Sequence, residues 1–211
     1  MVRPQKKSEA LSETTKSFLH EIWIKENFGR EKDIDNKYIE KGNYCEEDGI
    51  DLLTKKFGKL LLKSKKEYEN DFILGHLDLE TKDEVLDVKN SWDIWTFHKA
   101  DGSNKDYQFQ GLGYMNLTNK KKFCLCYCLC NAPEHLIVAE KRRKLYDMYG
   151  MEETPEYAEK EAEIEKNMVF DDIPETERVK IFEFEYDEKL FEQVKVKIFE
   201  ARAYLNSIKS L

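Results

Sequence analysis

No apolar run in this 211-residue chain approaches the roughly 20 residues of a membrane-spanning helix. The longest, Phe123 to Cys130, is the length of a β-strand. The first residues, MVRPQKKSEALSETTKS, hold no apolar segment of the secretion-signal type, so a soluble, intracellular protein is the expectation. Internal repeats and low-complexity linkers are missing, and so is a Gly-rich phosphate loop of Walker type, which argues against an ATP-driven motor. His20, His76, His98 and His135 keep no ligand-like spacing to one another or to cysteine, which leaves a zinc site unsupported. A basic surplus is lacking too. The 43 acidic residues outnumber the 35 basic ones, for a net charge of −8. That balance is unfavourable for gripping phosphates. It is tolerable if carboxylates are gathered where metal ions reverse the local sign.

Apolar residues make up 40% of the chain and aromatics 12%, enough for one α/β domain with a real core. Five cysteines, four of them in CLCYCLC, form an odd set that argues against a disulfide framework in an intracellular protein. Cys124, Cys126, Cys128 and Cys130 fall on one face of a strand, neighbours about 6.5–7 Å apart and the outer pair about 20 Å apart. They cannot converge on one tetrahedral ion. A buried central strand is expected, with cysteine as a small hydrophobe and Leu125, Tyr127 and Leu129 on the other face.

Periodicity predicts a first helix from about Ser12 to Glu26 with Phe18, Leu19, Ile22 and Trp23 inward, stopped at Gly29. A second helix is expected from about Gly42, carrying Glu46 and Glu47, with Tyr38, Ile39, Cys45, Ile50, Leu53 and Phe57 as inward candidates in this region. KLLLKS (59–64) reads as a short strand. DFILGHLDLE and EVLDVKNSW read as two strands of a hairpin joined by the turn TKDE. Residues 99–106 read as loop, and YQFQGLGYMNL as a helix leading to the cysteine strand. A helix beginning near Pro133 and ending before Gly150 follows. Thr154 opens a charge-rich, solvated helix, residues 169–178 are loop, and VKIFEFEYD alternates as a strand. Asp187 caps a last helix with Leu190, Phe191, Val194, Ile198, Ala201 and Leu205 inward.

The hairpin raises the functional question. Asp78 and Asp87 stand nine positions apart on two strands joined by a tight turn, which can bring them together. Asp87 and Lys89 share a strand face, and Val88 between them still offers its backbone carbonyl. Gly75 removes a side chain where another group can approach closely. Charged groups in apolar strands are costly unless neutralised. Two carboxylates and a carbonyl make a hard oxygen site suited to Mg²⁺ or Mn²⁺, and Lys89 could hold a nucleophilic water. The bland alternative is a surface hairpin closed by a salt bridge. For Gln110 and Tyr114 it is an ordinary amphipathic helix, for Trp92 packing, for His76 a structural role, and for Arg142 and Arg143 a solvated helix face.

Gly75-x-x-Asp78, Asp87-x-Lys89 and Gln110-Gly-Leu-Gly-Tyr114, preceded by Gly42-x-x-x-Glu46, resemble the ordered motifs of the PD-(D/E)XK nuclease superfamily, in its RecB-like and phage lambda exonuclease (YqaJ-type) branch. The motifs span residues 42–114, and with the following strand and helix the resemblance covers roughly half the chain. It implies an α/β fold with a restriction-endonuclease-like core, a central mixed sheet flanked by helices. The core would be about residues 36–150, followed by a C-terminal strand and helical extension over 151–211, all in one domain. It also implies Glu46, Asp78, Asp87 and the Val88 carbonyl as ligands of Mg²⁺ or Mn²⁺, with Glu47 competing for the helix position, and Lys89 as the catalytic lysine. Gln110, Tyr114, Ser91 and Trp92 would contact substrate. Asp87 stands where many relatives have Glu, a change that keeps a carboxylate. Four cysteines on one strand do not match the cysteine placement of the iron–sulfur members, so no cluster is carried over. The implied activity is a metal-dependent exonuclease acting on linear duplex DNA in recombination or phage DNA processing, in the cytoplasm of a bacterium or phage-infected cell. A homo-oligomer and a paired single-strand annealing protein are further family-level expectations. A non-catalytic DNA-binding or protein-interaction module on the same fold, and an endonuclease or nickase, stay open as alternatives.

Overall fold

The computed structural model describes residues 10–33, 36–148, 150 and 154–208. The first nine residues, part of the stretch without signal-type character, lie outside the described residues. Helix α1 (Glu13–Phe28) begins where the Ser12 hydroxyl accepts the Thr15 N–H at 3.1 Å, and ends at Gly29 in the left-handed region, φ 62°. Leu19 is buried, but Phe18 is exposed, against expectation. The reason is that α1 packs on another helix, the last one of the chain, which covers only a narrow stripe of it.

The expected single helix from Gly42 is two. Helix α2 (Lys37–Tyr44) ends at Cys45, and α3 (Glu46–Phe57) starts immediately after it. Cys45 closes one helix and opens the other: its N–H donates to the Lys41 carbonyl and its carbonyl accepts from Gly49, both at 2.9 Å. The break buries Cys45, Ile50 and Leu53 as expected but turns Tyr38 and Ile39 outward, a correction to the expected core. KLLLKS forms no strand. Leu61 alone is buried, Leu60 and Leu62 are exposed, and Lys63 makes an isolated antiparallel bridge with Leu79.

The first arm of the expected hairpin is also divided. Strand β1 (Glu67–Glu69), unforeseen in the sequence, pairs antiparallel with β2 (Leu74–His76) as a separate ribbon. The chain then bends at Asp78. Only β3 (Leu79–Glu80) pairs with β4 (Glu84–Asn90), Leu79 opposite Leu86 and Glu80 opposite Val85. Next comes α4 (Ile94–Lys99), also unforeseen, begun by a capping box in which Asp93 and Thr96 satisfy each other's backbone N–H groups. Then follow α5 (Lys105–Thr118), β5 (Lys122–Cys128), α6 (Glu134–Asp147) and α7 (Pro155–Met168). Helix α7 is mostly solvated as expected, though Tyr157 and Met168 are buried. After a 3-10 turn at Glu175–Glu177, β6 (Val179–Glu185) and α8 (Glu188–Ser207) end the described chain. Within α8 only Phe191 is deeply buried; Leu190 and Val194 are half-buried against the same core.

The main sheet has the order β3-β4-β5-β6. Strands β4 and β5 are parallel, from Glu84 opposite Lys122 to Asn90 opposite Cys128, and β6 runs antiparallel to β5. The C-terminal strand therefore completes the central mixed sheet. The two faces divide as alternation requires. Leu86, Val88, Cys124, Cys126 and Cys128 meet Ile50, Leu52 and Leu53 of α3 on one side. Val85, Phe123 and Leu125 meet Leu112 and Met115 of α5 and Phe191 of α8 on the other. All five cysteines are buried thiols, and burial pushes Cys124 and Cys128 up to about 12. Helix α5 lies close to the sheet because Gly111 has no side chain; a methyl group there would overlap the Phe123 ring. No helix among the described residues is long and apolar enough to cross a membrane.

Candidate active site

Asp87 and Lys89 lie on the α5 side of β4, an alternation that leaves Leu86 and Val88 to the α3 core. Asp87 is almost fully buried, and the Lys89 ammonium sits 2.7 Å from its Oδ2. That oxygen has no aligned hydrogen-bond donor, so the ion pair alone compensates it. On its other side the Lys89 ammonium lies 4.8 Å from the centre of the Tyr107 ring. Asp78 reaches the same place from the bend between β2 and β3. Where the β3–β4 ladder stops, the Asp78 Oδ2 accepts the Val88 N–H at 2.7 Å. The carboxylate thus replaces the missing strand partner and is fixed beside Asp87. Its backbone carbonyl accepts the Ser64 N–H at 2.8 Å.

Glu46 enters from the first turn of α3. Its Oε2 is 2.6 Å from the Lys63 ammonium. Glu47, the competing choice, is exposed and does not line the site. A cavity of about 540 Å³ gathers Glu46, Asp78, Asp87, Val88, Lys89, Ser91, Trp92 and Gln110. Tyr38, Tyr107 and Tyr127 add an aromatic wall. Tyr114 is not part of that lining. It stands one helical turn behind Gln110, receives a hydrogen bond from Gln110 Nε2 at 2.7 Å, and packs its ring against Gly75. The close approach expected at Gly75 is therefore this ring. His76 pairs with Glu67 across the β1–β2 ribbon on the exposed side.

Burial raises the pKa of Asp87 to about 6; Lys89 opposes the rise, while Asp78 and Glu46 add to it. Burial also raises Asp78, against the stabilising Val88 N–H and Lys89. Burial disfavours the Lys89 ammonium, but Asp87 and Asp78 outweigh it and hold its pKa above the ordinary lysine value. Carboxylates crowded in this way are destabilised as anions, the condition under which an added cation binds with profit. The donors are hard oxygens, and the buried Asp87 Oδ2, compensated by the Lys89 ammonium alone, is an atom such a cation would satisfy further. The residues fit Mg²⁺ or Mn²⁺ on that ground. Among the described residues no three His, Cys, Asp or Glu side chains already converge as an ion's ligands, and Glu46 is paired with Lys63.

Lys41 is a residue the sequence reading missed. Its side chain is wholly buried, and its ammonium donates to the Ser91 carbonyl at 2.9 Å and the Trp92 carbonyl at 2.8 Å. It ties α2 to the end of β4 directly beyond Lys89. The available signal was its place four residues before buried Cys45, on the same helical stripe. Ser91 is itself buried, and Trp92 is half-buried against Leu136, Ile137 and Met168, with Tyr38 edge-on at 5.1 Å. Two basic side chains of the runs at 119–123 and 140–144 are used within the fold: Lys120 pairs with Glu80 at 3.3 Å and Arg143 with Glu140 at 2.7 Å. Lys63, the partner of Glu46, carries no signal in the sequence at all.

No family model matches the chain, and no curated protein matches it either. Solved structures do. A phage-related exonuclease from Haemophilus somnus 129PT is similar at 24% identity over 97% of this chain and 88% of its own, with a TM-score of 0.76. The alkaline exonuclease LHK-Exo from Laribacter hongkongensis is 11% identical over 94% of this chain and 84% of its own, TM-score 0.64. The same enzyme in complex with dAMP is 12% identical over 90% and 79%, TM-score 0.61. The mixed sheet and its flanking helices are thus the fold of exonuclease-like nucleases.

Proposed function

We propose that this chain, which carries the fold of those exonucleases, is a metal-dependent deoxyribonuclease that degrades linear duplex DNA from its ends. The observation that carries the reading is a single cavity lined by Glu46, Asp78, Asp87, Lys89 and Gln110, with the Asp78 and Asp87 carboxylates raised by burial and the Lys89 ammonium 2.7 Å from Asp87. The nucleotide bound in the LHK-Exo complex supports DNA as the substrate class. Asp78, Asp87 and the Val88 carbonyl would hold Mg²⁺ or Mn²⁺, with Glu46 as a further ligand. When bound, the ion would offset charge developing on the phosphodiester and lower the pKa of an attacking water.

The chain's own groups do the rest. The Lys89 Nζ, always charged beside Asp87, donates to the attacking water or to a phosphoryl oxygen and stabilises negative charge there. Gln110, held by Tyr114, presents its remaining amide groups to the substrate backbone. The aromatic wall of Tyr38, Tyr107 and Tyr127 limits water around the reacting phosphate.

End-labelled linear duplex and covalently closed circles, each incubated with the purified protein with and without Mg²⁺, test this. Linear DNA should be shortened to nucleotides only with the metal, and circles should survive. Retention of DNA without turnover at every metal concentration would replace the enzyme with a binding module. Cutting of circles would make it an endonuclease.

A further inference from the structure

We propose that Lys63 is a built-in competitor for the divalent cation, holding Glu46 in the metal-free protein and releasing it on loading. The inference rests on the metal-dependent reading above. The backbone places Lys63 deliberately: its bridge to Leu79 and the Ser64 N–H bond to the Asp78 carbonyl pin the segment alongside the Asp78 bend. From there its ammonium reaches across to Glu46 Oε2 at 2.6 Å, and its charge also acts on Asp78. Three carboxylates therefore face two ammonium groups, Lys63 and Lys89.

The two ammonium groups differ. Lys89 is held on a central strand against a buried carboxylate, with 23% of its side chain exposed. The Lys63 side chain is 46% exposed and can swing into water without losing a core contact. Of the three cavity acids, Glu46 is the one paired with Lys63. A cation that recruits Glu46 must break that pair. Lys63 offsets part of the site's negative charge at the cost of metal affinity, and its retreat makes Glu46 available. If Lys63 instead oriented Glu46 for ligation, its removal would weaken metal binding; the sign of the effect separates the two roles.

Equilibrium Mn²⁺ binding, read by the electron paramagnetic resonance of free Mn²⁺, decides it without any DNA. Lys63→Met should bind Mn²⁺ about three- to tenfold more tightly than wild type, the range expected when an exposed ion pair and a nearby like charge are removed. Lys63→Arg should stay within about twofold of wild type. In a Glu46→Gln background the Lys63→Met gain should shrink to about twofold or less, because the pair it breaks no longer exists. An unchanged or weaker affinity in Lys63→Met, with wild type binding normally, overturns the competitor role alone. A wild type that binds no Mn²⁺ overturns it together with the metal-dependent reading.

Discussion

Lys89→Ala should lose Mg²⁺-dependent digestion of linear duplex by about a thousandfold or more while remaining folded. The magnitude is that of removing one preorganised charged donor aimed at developing charge, about 10²–10³ from a single hydrogen-bond donor and more where the group also handles the attacking water. The Lys89 ammonium is fixed from two sides, by Asp87 at 2.7 Å and the Tyr107 ring, so a mobile lysine or a cation from solution cannot reproduce it. Arginine in its place is not conservative, because the planar guanidinium does not match a pocket shaped for a compact ammonium. The loss should fall on turnover, with Mn²⁺ binding retained, since the alanine removes a positive charge from beside the acids. Initial rates on end-labelled duplex, with circular dichroism as the folding control, read this out. A Lys89→Ala rate within tenfold of wild type would remove the lysine from the chemistry.

The second large effect is on stability. Lys41→Ala should destabilise the fold by about 2–5 kcal/mol, the cost of losing a buried long side chain together with two hydrogen bonds from a charged donor. The wholly buried ammonium is the donor for the Ser91 and Trp92 carbonyls at the end of β4. Deleting it leaves both acceptors buried without partners and opens a void between α2 and the sheet. Lys41→Met fills the volume, restores no donor, and should still lose about 2–4 kcal/mol. Burial lowers the Lys41 pKa to about 8, below its value in the unfolded chain. The unfolded state then binds more protons between about pH 8 and 10.5, so wild type should gain stability relative to Lys41→Met as pH rises through that window. Urea unfolding at several pH values measures both. A difference under about 1 kcal/mol would show that α2 and the strand end are held by apolar packing instead.

The sequence carried more of the site than of the local fold, for physical reasons. Strand β5 was legible because alternation is strict there: cysteines on one face, Leu125 and Tyr127 on the other. The caps of α1 and α8 were legible because Ser12, Gly29 and Asp187 act within one turn of themselves. The run from Asp71 to Glu80 was misread as one strand because its apolar pattern continues across a bend. What ends the pairing is the Asp78 side chain taking the Val88 N–H, a contact ten residues away in sequence. The split at Cys45 was hidden similarly, since helical hydrogen bonding runs through it. Asp78, Asp87 and Lys89 could be singled out because charges in apolar strands are anomalous. Lys63 could not, because a lysine on a loop is ordinarily solvated, and Lys41 offered only its place on the helical stripe of Cys45, which without the tertiary contacts reads as a solvated helix lysine.

The central claim is that the carboxylates of Asp78 and Asp87, with Glu46 nearby, share one divalent cation beside the Lys89 ammonium. Crystals soaked in Mn²⁺ and measured near the manganese absorption edge address it directly. An anomalous peak in contact with both Asp78 and Asp87 is the predicted result, and it should vanish in crystals of Asp87→Asn. A map with no peak in that cavity, or one that persists unchanged in the variant, would contradict the account.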